Sequence, residues 1–208
     1  ASVSAGNGTG GLRVLGDFNN SSSATFNAGA DSIGVRGNFN NSAAFVASSG
    51  AIRVNDDFNN TGGSFSGNTG TLRIGGSLTN NATFNAGTGT ATISGALLNS
   101  GASAVYNANA NQLYLTGNLS NASNATFNAN SSAIYLSGNW SNSATFNAGT
   151  GSVIFNSPSA RAITGTTTFR NLLNTNGGSV TLNNNISVSG LLTLSAGSMI
   201  TGSNTLSL

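Results

Sequence analysis

The side chains that could act as acids or bases are few in this chain: four Asp, and no Glu, His or Cys. Asp17 and Asp57 stand in equivalent positions two repeats apart. If each repeat adds one parallel strand, about 10 Å separates them, which is near the upper limit for the carboxylate pair of an inverting glycosidase. The other two carboxylates belong to Asp31 and Asp56.

The equivalent position in the other repeats favours a structural interpretation. Asp, Asn and Ser interchange at turns because each can hydrogen-bond the local backbone, and this position also holds Asn38, Ser77, Ala96, Asn118 and Asn139. General acid–base catalysis needs a neighbour that tunes the pKa, and none is evident. A nucleophilic triad in its usual form needs His, and the GGxGxD calcium loop is missing. We therefore expect no catalytic residue, no metal, no cofactor and no enzymatic activity.

A second candidate is a polar row built on the tripeptide Thr-Phe-Asn. With Phe buried, the flanking Thr and Asn would face outward and stack about 4.8 Å apart. Such a row could hydrogen-bond glycans or order water, as in the TxT arrays of ice-binding proteins, to which it is similar. Thr is also a good strand former and Asn a good ladder residue. Interruptions at Ala44/Val46, Ser64/Ser66 and Val105 favour this structural role. The row consists of Thr25, Asn27, Thr83, Asn85, Thr126, Asn128, Thr145 and Asn147.

These residues belong to a repeat whose clearest copy is 141–152, SNSATFNAGTGS, and a pair of apolar residues two positions apart precedes each copy. The pairs recur about every twenty residues with a drift of one or two positions, which is typical of stacked structural units rather than of one globular core. The pairs are Leu12/Val14, Ile33/Val35, Ile52/Val54, Leu72/Ile74, Ala91/Ile93, Leu113/Leu115, Ile134/Leu136 and Val153/Phe155.

Each repeat contains three strand-sized segments. Apolar and polar residues alternate over three to five positions, with Gly, Asn and Ser between the segments. No window keeps a helical apolar stripe for two turns. The sequence therefore predicts an all-β fold: a right-handed parallel β-solenoid with about 20 residues and three short strands per coil.

Two columns of large side chains should fill the interior of this solenoid. The columns are Phe18, Phe39, Phe58, Leu78, Leu97, Leu119, Trp140 and Phe26, Phe45, Phe65, Phe84, Tyr106, Phe127, Phe146. An outward column holds Arg13, Arg53, Arg73, Tyr114 and Tyr135. Asn-Asn pairs follow the first column, and Asn suits corners because it tolerates the left-handed region. Stacked corners should form asparagine ladders.

The repeat divides the chain into three parts: a lead-in or cap at 1–11, regular coils at 12–155, and a modified C-terminal region at 156–208. The last part holds the single Pro, and its first clear apolar pair, Val180/Leu182, follows Val153/Phe155 by well over one period. We expect a wider coil there, with a loop at 156–162. Thinner coils should follow and cap the stack or dock on a partner, because the terminal units of solenoids are usually atypical.

Composition narrows the partners and the location. Charged residues make up 5% of the chain and the net charge is +2, so no nucleic-acid partner is indicated. No apolar run reaches the length of a membrane-spanning helix, so we expect no transmembrane segment. The chain begins Ala1-Ser2-Val3 without Met, as after removal of a leader, and we expect a secreted or cell-surface protein.

The C-terminal quarter carries a family resemblance. The segments GSVIFNSPSARAITGTTTFRNLLNTN and SVTLNNNISVSGLLTLSAGSMITGSNTLSL resemble the repeat regions of large secreted bacterial β-helix adhesins. Such proteins are exported, displayed at the cell surface, and act as adhesins or as matrix and filament components. The resemblance implies the same fold and location for this chain.

These observations lead to a functional expectation. The ends of a solenoid expose strand edges and an open core, and a head-to-tail contact that does not close produces a filament. We expect a non-enzymatic extracellular structural protein, a subunit of a surface filament or matrix. The alternatives are a monomeric adhesin or glycan-binding module and, third, an ice-binding protein. The residues expected to dock identical subunits are Val3, Leu12, Val14, Leu192, Leu194, Leu206 and Leu208.

Overall fold

The computed structural model describes residues 3–4, 11–21, 23, 25–47 and 49–208, with side chains from residue 11 onward. The strands pair in parallel, each with the equivalent strand of the preceding or following repeat. No helix occurs in these described ranges. The chain is thus a β-solenoid of about ten coils with three strands per coil, which confirms the predicted fold class.

Two sheets of ten strands run the whole length of the stack, and we call them sheet I and sheet II. Sheet I consists of Leu12–Val14, Ile33–Val35, Ile52–Val54, Leu72–Ile74, Ala91–Ile93, Gln112–Leu115, Ala133–Leu136, Ser152–Phe155, Asn171–Asn174 and Leu192–Leu194. Sheet II consists of Phe18–Asn20, Phe39–Asn41, Phe58–Asn60, Leu78–Asn80, Leu97–Ser100, Leu119–Ala122, Trp140–Asn142, Arg161–Thr164, Ser179–Leu182 and Ser198–Ile200.

The third side of the coil is divided between two shorter sheets. Sheet III consists of Val3–Ser4, Thr25–Asn27, Ala44–Val46, Ser64–Ser66, Thr83–Asn85, Val105–Asn107, Thr126–Asn128 and Thr145–Asn147. Sheet IV then takes its place, with Thr167–Phe169, Ile186–Val188 and Leu206–Ser207.

The alternation within each short strand decides which side chains enter the core. In the regular three-residue strands of sheets I and II the first and third residues point inward, as Ile52 and Val54 do around the exposed Arg53. In the three-residue strands of sheet III the middle residue points inward, as the buried Phe65 does. A three-residue strand is therefore enough to separate an inner from an outer surface.

Both predicted columns form inside the stack. Most neighbouring rings within a column lie nearly parallel, for example Phe39 and Phe58 with centroids 4.3 Å apart, whereas Phe127 and Phe146 are tilted by 42°. Rings of the two columns meet edge to face, as Phe58 and Phe65 do at 5.1 Å and 81°. Both arrangements are favourable for aromatic quadrupoles, so the aromatic residues supply contact geometry as well as apolar burial.

A buried asparagine ladder runs beside the aromatic columns. Each Asn is the third residue of its sheet II strand and donates its Nδ2 to the Oδ1 of the next Asn at 2.7–2.9 Å. The same Nδ2 also donates to the first carbonyl of a sheet III strand, as Asn60 does to the Thr83 carbonyl at 3.0 Å. The ladder consists of Asn20, Asn41, Asn60, Asn80, Asn99, Asn121 and Asn142.

The ladder confirms the expected stacking of Asn but corrects the reason for it. None of its members is among the non-glycine residues of the described chain with positive φ, which are Asn109, Ser123, Asn124 and Asn130. The ladder Asn therefore do not serve as left-handed corners. They point inward from the ends of strands and tie sheet II to sheet III in the next coil.

The third sheet changes where the regular repeat ends. Thr145–Asn147 is the last strand of sheet III, and Thr167–Phe169 opens sheet IV. At this step Trp140 packs edge to face on Phe146 and Phe169, at 4.7 and 5.1 Å. The Thr167 hydroxyl accepts hydrogen bonds from Trp140 Nε1 and from Asn142 Nδ2, each at 3.3 Å. Thr167 thus ends the asparagine ladder.

The strand register corrects the wide spacing expected after Phe155. Phe155 pairs with Asn174 in sheet I, whereas Leu182 pairs with Ile163 in sheet II. The apolar pairs compared in the sequence therefore belong to different sheets. Sheet I keeps its ordinary period here, since Phe155 and Asn174 are equivalent residues of consecutive coils. The extra length lies at 156–160, between the sheet I strand and the sheet II strand of this coil, so Ile163, the partner of Trp140, comes a few positions later than in a regular coil.

Candidate functional site

The residues expected to dock subunits lie at the two ends of the stack. Leu12 and Val14 belong to the first strand of sheet I, where both are half-buried against the core. Val3 lies in the first strand of sheet III and pairs with Phe26, while its side chain lies outside the described part. The C-terminal members, Leu192, Leu194, Leu206 and Leu208, lie in or next to the last strands of sheets I and IV.

The C-terminal end presents a large apolar surface. Leu194 is 44% exposed and Leu208 is 85% exposed. Leu192, Met199 and Leu206 are half-buried and pack on the core from one side. Sequence reasoning did not include Leu191 and Ile200, which are exposed beside them. The sequence could have indicated them, because Leu191 comes one residue before the inward Leu192 and Ile200 comes one residue after the inward Met199.

The polar row on sheet III is divided rather than continuous. Thr126 and Thr145 are neighbours, but Ala44, Ser64 and Val105 separate the other threonines of the row. On the Asn side, Asn107 donates to Asn85, Asn128 to Asn107 and Asn147 to Asn128, at 2.6–2.7 Å. These amides bond chiefly to one another. Asn27 stands apart, because Val46 and Ser66 follow it in the column.

The carboxylates of the sequence repeat cap backbone groups. Asp17 Oδ1 accepts the Asn38 N–H at 2.8 Å, and Asp57 Oδ1 accepts the Ser77 N–H at 2.7 Å. Asn38 and Asn118 make the same bond to the next coil. The polar side chains of the column therefore act as the structural interpretation predicts, because each accepts a backbone N–H of the next coil.

One ionisable residue enters the interior unexpectedly. Arg161 is buried, its guanidinium donates to the Ser157 carbonyl and to Asn174 Oδ1 at 3.1 Å, and it lies 5.5 Å from the Phe155 ring centre. Burial lowers the pKa of Arg161 because the charged form loses solvation. The signal was present in the sequence, since Arg161 stands two positions before the inward Ile163.

A buried tyrosine is the other ionisable group inside the stack. The Tyr106 hydroxyl has no hydrogen-bond partner in the described part of the protein. Burial raises the pKa of Tyr106 above its usual value, because the phenolate would be unsolvated there. Tyr106 takes the place of Phe in its column and stacks on Phe84 and Phe127.

Neither a search for metal-binding groups nor comparison with known proteins identifies a function for this chain. The residues that the structure describes contain no group of three or more His, Cys, Asp or Glu able to hold a metal ion. Nor do those residues form a helix that is long and apolar enough to cross a membrane. The chain matches no protein family, no curated protein and no solved structure.

Proposed function

We propose that this protein is a non-enzymatic extracellular structural protein, a subunit that stacks head to tail in a surface filament or matrix. The C-terminal end of the solenoid carries the proposal. Three parallel strands, Leu192–Leu194, Ser198–Ile200 and Leu206–Ser207, each have one strand neighbour in this structure. Unpaired strand edges add further strands readily. The large apolar side chains at this end are Leu191, Leu192, Leu194, Met199, Ile200, Leu206 and Leu208.

The register of the sheets supports a head-to-tail arrangement. Sheets I and II reach both ends of the stack, so the last coil of one subunit can continue onto the first coil of the next in the same phase. Leu192 would then lie over Leu12, and Leu194 over Val14, which extends the inner columns of sheet I. The same contact repeats at every junction without closing, which is how filaments form.

Chemistry at the C-terminal end favours an apolar contact. The segment 191–208 has no ionisable side chain, so hydrophobic burial and strand pairing would supply the stabilisation. Complete burial of one Leu side chain contributes about 1.5–3 kcal/mol. Assembly of this kind should depend weakly on ionic strength, in contrast to a contact made by charges. The extracellular location is supported by the resemblance of 151–208 to secreted β-helix adhesins.

Electron microscopy with a matched pair of variants tests the proposal. Leu194→Asp places a charge in the proposed contact, whereas Leu98→Asp places one on the side of the stack, where Leu98 is 37% exposed. We expect fibres from the wild type and from Leu98→Asp, and short or single particles from Leu194→Asp. A wild-type protein that stays monomeric at all concentrations would contradict the filament and favour a monomeric adhesin. Equal effects of the two substitutions would place the contact elsewhere.

A further inference from the structure

Four of the six arginines of this chain lie close together on one side of the solenoid. Arg13, Arg53 and Arg73 share the outward column of sheet I, and Arg36 follows the next strand of that sheet. All four side chains are exposed. Two of the four aspartates in the same coils, Asp17 and Asp57, have carboxylates engaged with backbone N–H groups of the following coils. Asp31 and Asp56 lie in the same coils, but no aspartate belongs to a strand of sheet I, so the charged side chains on the outer face of these strands are all arginines.

A cavity lies among these arginines. Its volume is about 370 Å³, and its lining includes Arg13, Ser32, Gly34, Arg36, Arg53 and Asn55. Gly34 forms the floor, since it takes the position between Arg13 and Arg53 in the outward column. Arg13 and Arg53 are thus two strands apart, about 10 Å along the stack. Their long side chains can converge on a group placed over Gly34.

The backbone does not require glycine at position 34. A Cβ atom added there would have no neighbour within 4 Å, and the residue has no positive φ. Gly63, in contrast, has no room for a Cβ because it faces the Ala43 carbonyl. Glycine inside a strand is also less favourable than other residues. What Gly34 contributes is open space between two guanidinium groups.

We propose that this cavity binds the oxyanion of an acidic polysaccharide, either a carboxylate or a sulfate group. Guanidinium groups bind such anions through paired, charge-assisted hydrogen bonds. Arg13, Arg36 and Arg53 belong to three successive coils around the cavity, and a bound anion relieves the repulsion among their like charges. Arg73 extends the row by one coil, so a linear chain with regularly spaced anionic groups can follow the stack.

The lining of the cavity favours a sugar chain over a nucleic acid. Single-stranded nucleic acids are bound through bases stacked on aromatic side chains, and none of the residues lining the cavity is aromatic. The Ser32 hydroxyl and the Asn55 amide offer neutral polar groups that suit sugar hydroxyls, and Asn55 Oδ1 also accepts a hydrogen bond from Arg53 Nε at 3.4 Å. The cavity borders the proposed junction, because Leu12 belongs both to its lining and to the docking residues. The inference does not require the filament, since Gly34, Arg36 and Arg53 lie outside the first strand of sheet I.

Isothermal titration calorimetry on the full chain at low salt tests the proposal. The probes are oligogalacturonate for carboxylates, a heparin fragment for sulfates, neutral dextran and a single-stranded oligonucleotide. We expect binding of at least one acidic sugar and none of dextran. Arg53→Gln should weaken it roughly tenfold or more, as loss of a charge-assisted hydrogen bond does. Gly34→Thr leaves the charge unchanged and fills the cavity, and it should also weaken binding at least about fivefold, as for a lost neutral contact.

Arg170→Gln is the matched control, because Arg170 is exposed far along the stack and its loss changes the net charge equally. Its affinity should stay within about twofold of the wild type, since only screened long-range charge is lost. Equal losses of affinity in Arg53→Gln and Arg170→Gln would mean that binding responds only to the net charge of the protein, and would contradict a site at the cavity. Unchanged binding by Gly34→Thr, tighter binding of the oligonucleotide, or no binding of either acidic sugar would also overturn it.

Discussion

The hydrogen bonds of the buried asparagine ladder allow the loss of stability from one Asn substitution to be estimated bond by bond. In Asn60→Ala, three hydrogen bonds are lost: the donations to Asn80 Oδ1 at 2.7 Å and to the Thr83 carbonyl at 3.0 Å, and the one accepted from Asn41 at 2.8 Å. At about 1 kcal/mol net for each bond, the loss is about 3 kcal/mol. Because Asn60 is fully buried, water cannot replace it as the hydrogen-bond partner of Asn41 Nδ2 and Asn80 Oδ1. We expect a total loss of about 4–5 kcal/mol in the free energy of unfolding.

The neighbouring residue is the control. Asn59 carries the same side chain but faces outward, where it donates one hydrogen bond of 2.9 Å to Asn40. Water replaces that bond, so Asn59→Ala should lower the free energy of unfolding by less than about 1 kcal/mol. Equilibrium urea unfolding of both variants, followed by far-UV circular dichroism, measures the difference. Equal shifts in the two variants, or a loss below about 1 kcal/mol for Asn60→Ala, would refute an internal ladder.

Four further substitutions examine other parts of the solenoid. Thr167→Val removes the oxygen that accepts the Trp140 indole hydrogen, and a loss of about 2 kcal/mol is expected in urea unfolding; no loss would mean that Thr167 does not end the ladder. Gly63→Ala would overlap the Ala43 carbonyl and should lower the melting temperature markedly, whereas Gly34→Ala has open space and should leave it unchanged or higher. Burial raises the pKa of Tyr106, so the unfolded chain loses this proton first and the free energy of unfolding should fall as pH rises above about 10. Tyr106→Phe should reduce that fall, and an identical pH dependence in the variant would contradict the burial of the hydroxyl.

The coil and its aromatic columns could be predicted from the sequence because two signals coincide. The repeat period sets the strand that follows, and the alternation of Phe with polar residues sets the face. The position of the ladder Asn was equally available, since Asn20 stands two positions after Phe18 and must share its face. The tolerance of Asn for left-handed turns was the competing consideration, and it led to the wrong local conformation.

The assignment of the strands after Phe155 to their sheets could not be predicted in the same way. Strands of sheets I and II have the same inward, outward, inward pattern, so Val180/Leu182 was indistinguishable from a sheet I pair. The number of residues between Phe155 and Val180 was the only indication of which sheet the pair joins, and the loop at 156–160 increased that number. The cavity at Gly34 depends on what an absent side chain leaves open, which periodicity alone does not reveal.

Spin labels along the outward column of sheet I test the stacked coil most directly. The chain has no Cys, so paired Cys substitutions can be labelled cleanly. Thr193 lies seven coils from Arg53, six from Arg73 and five from Thr92. Pulsed electron spin resonance should give backbone separations of about 34, 29 and 24 Å, one strand spacing per coil. Distances that do not rise by about 4.8 Å for each added coil would contradict the solenoid.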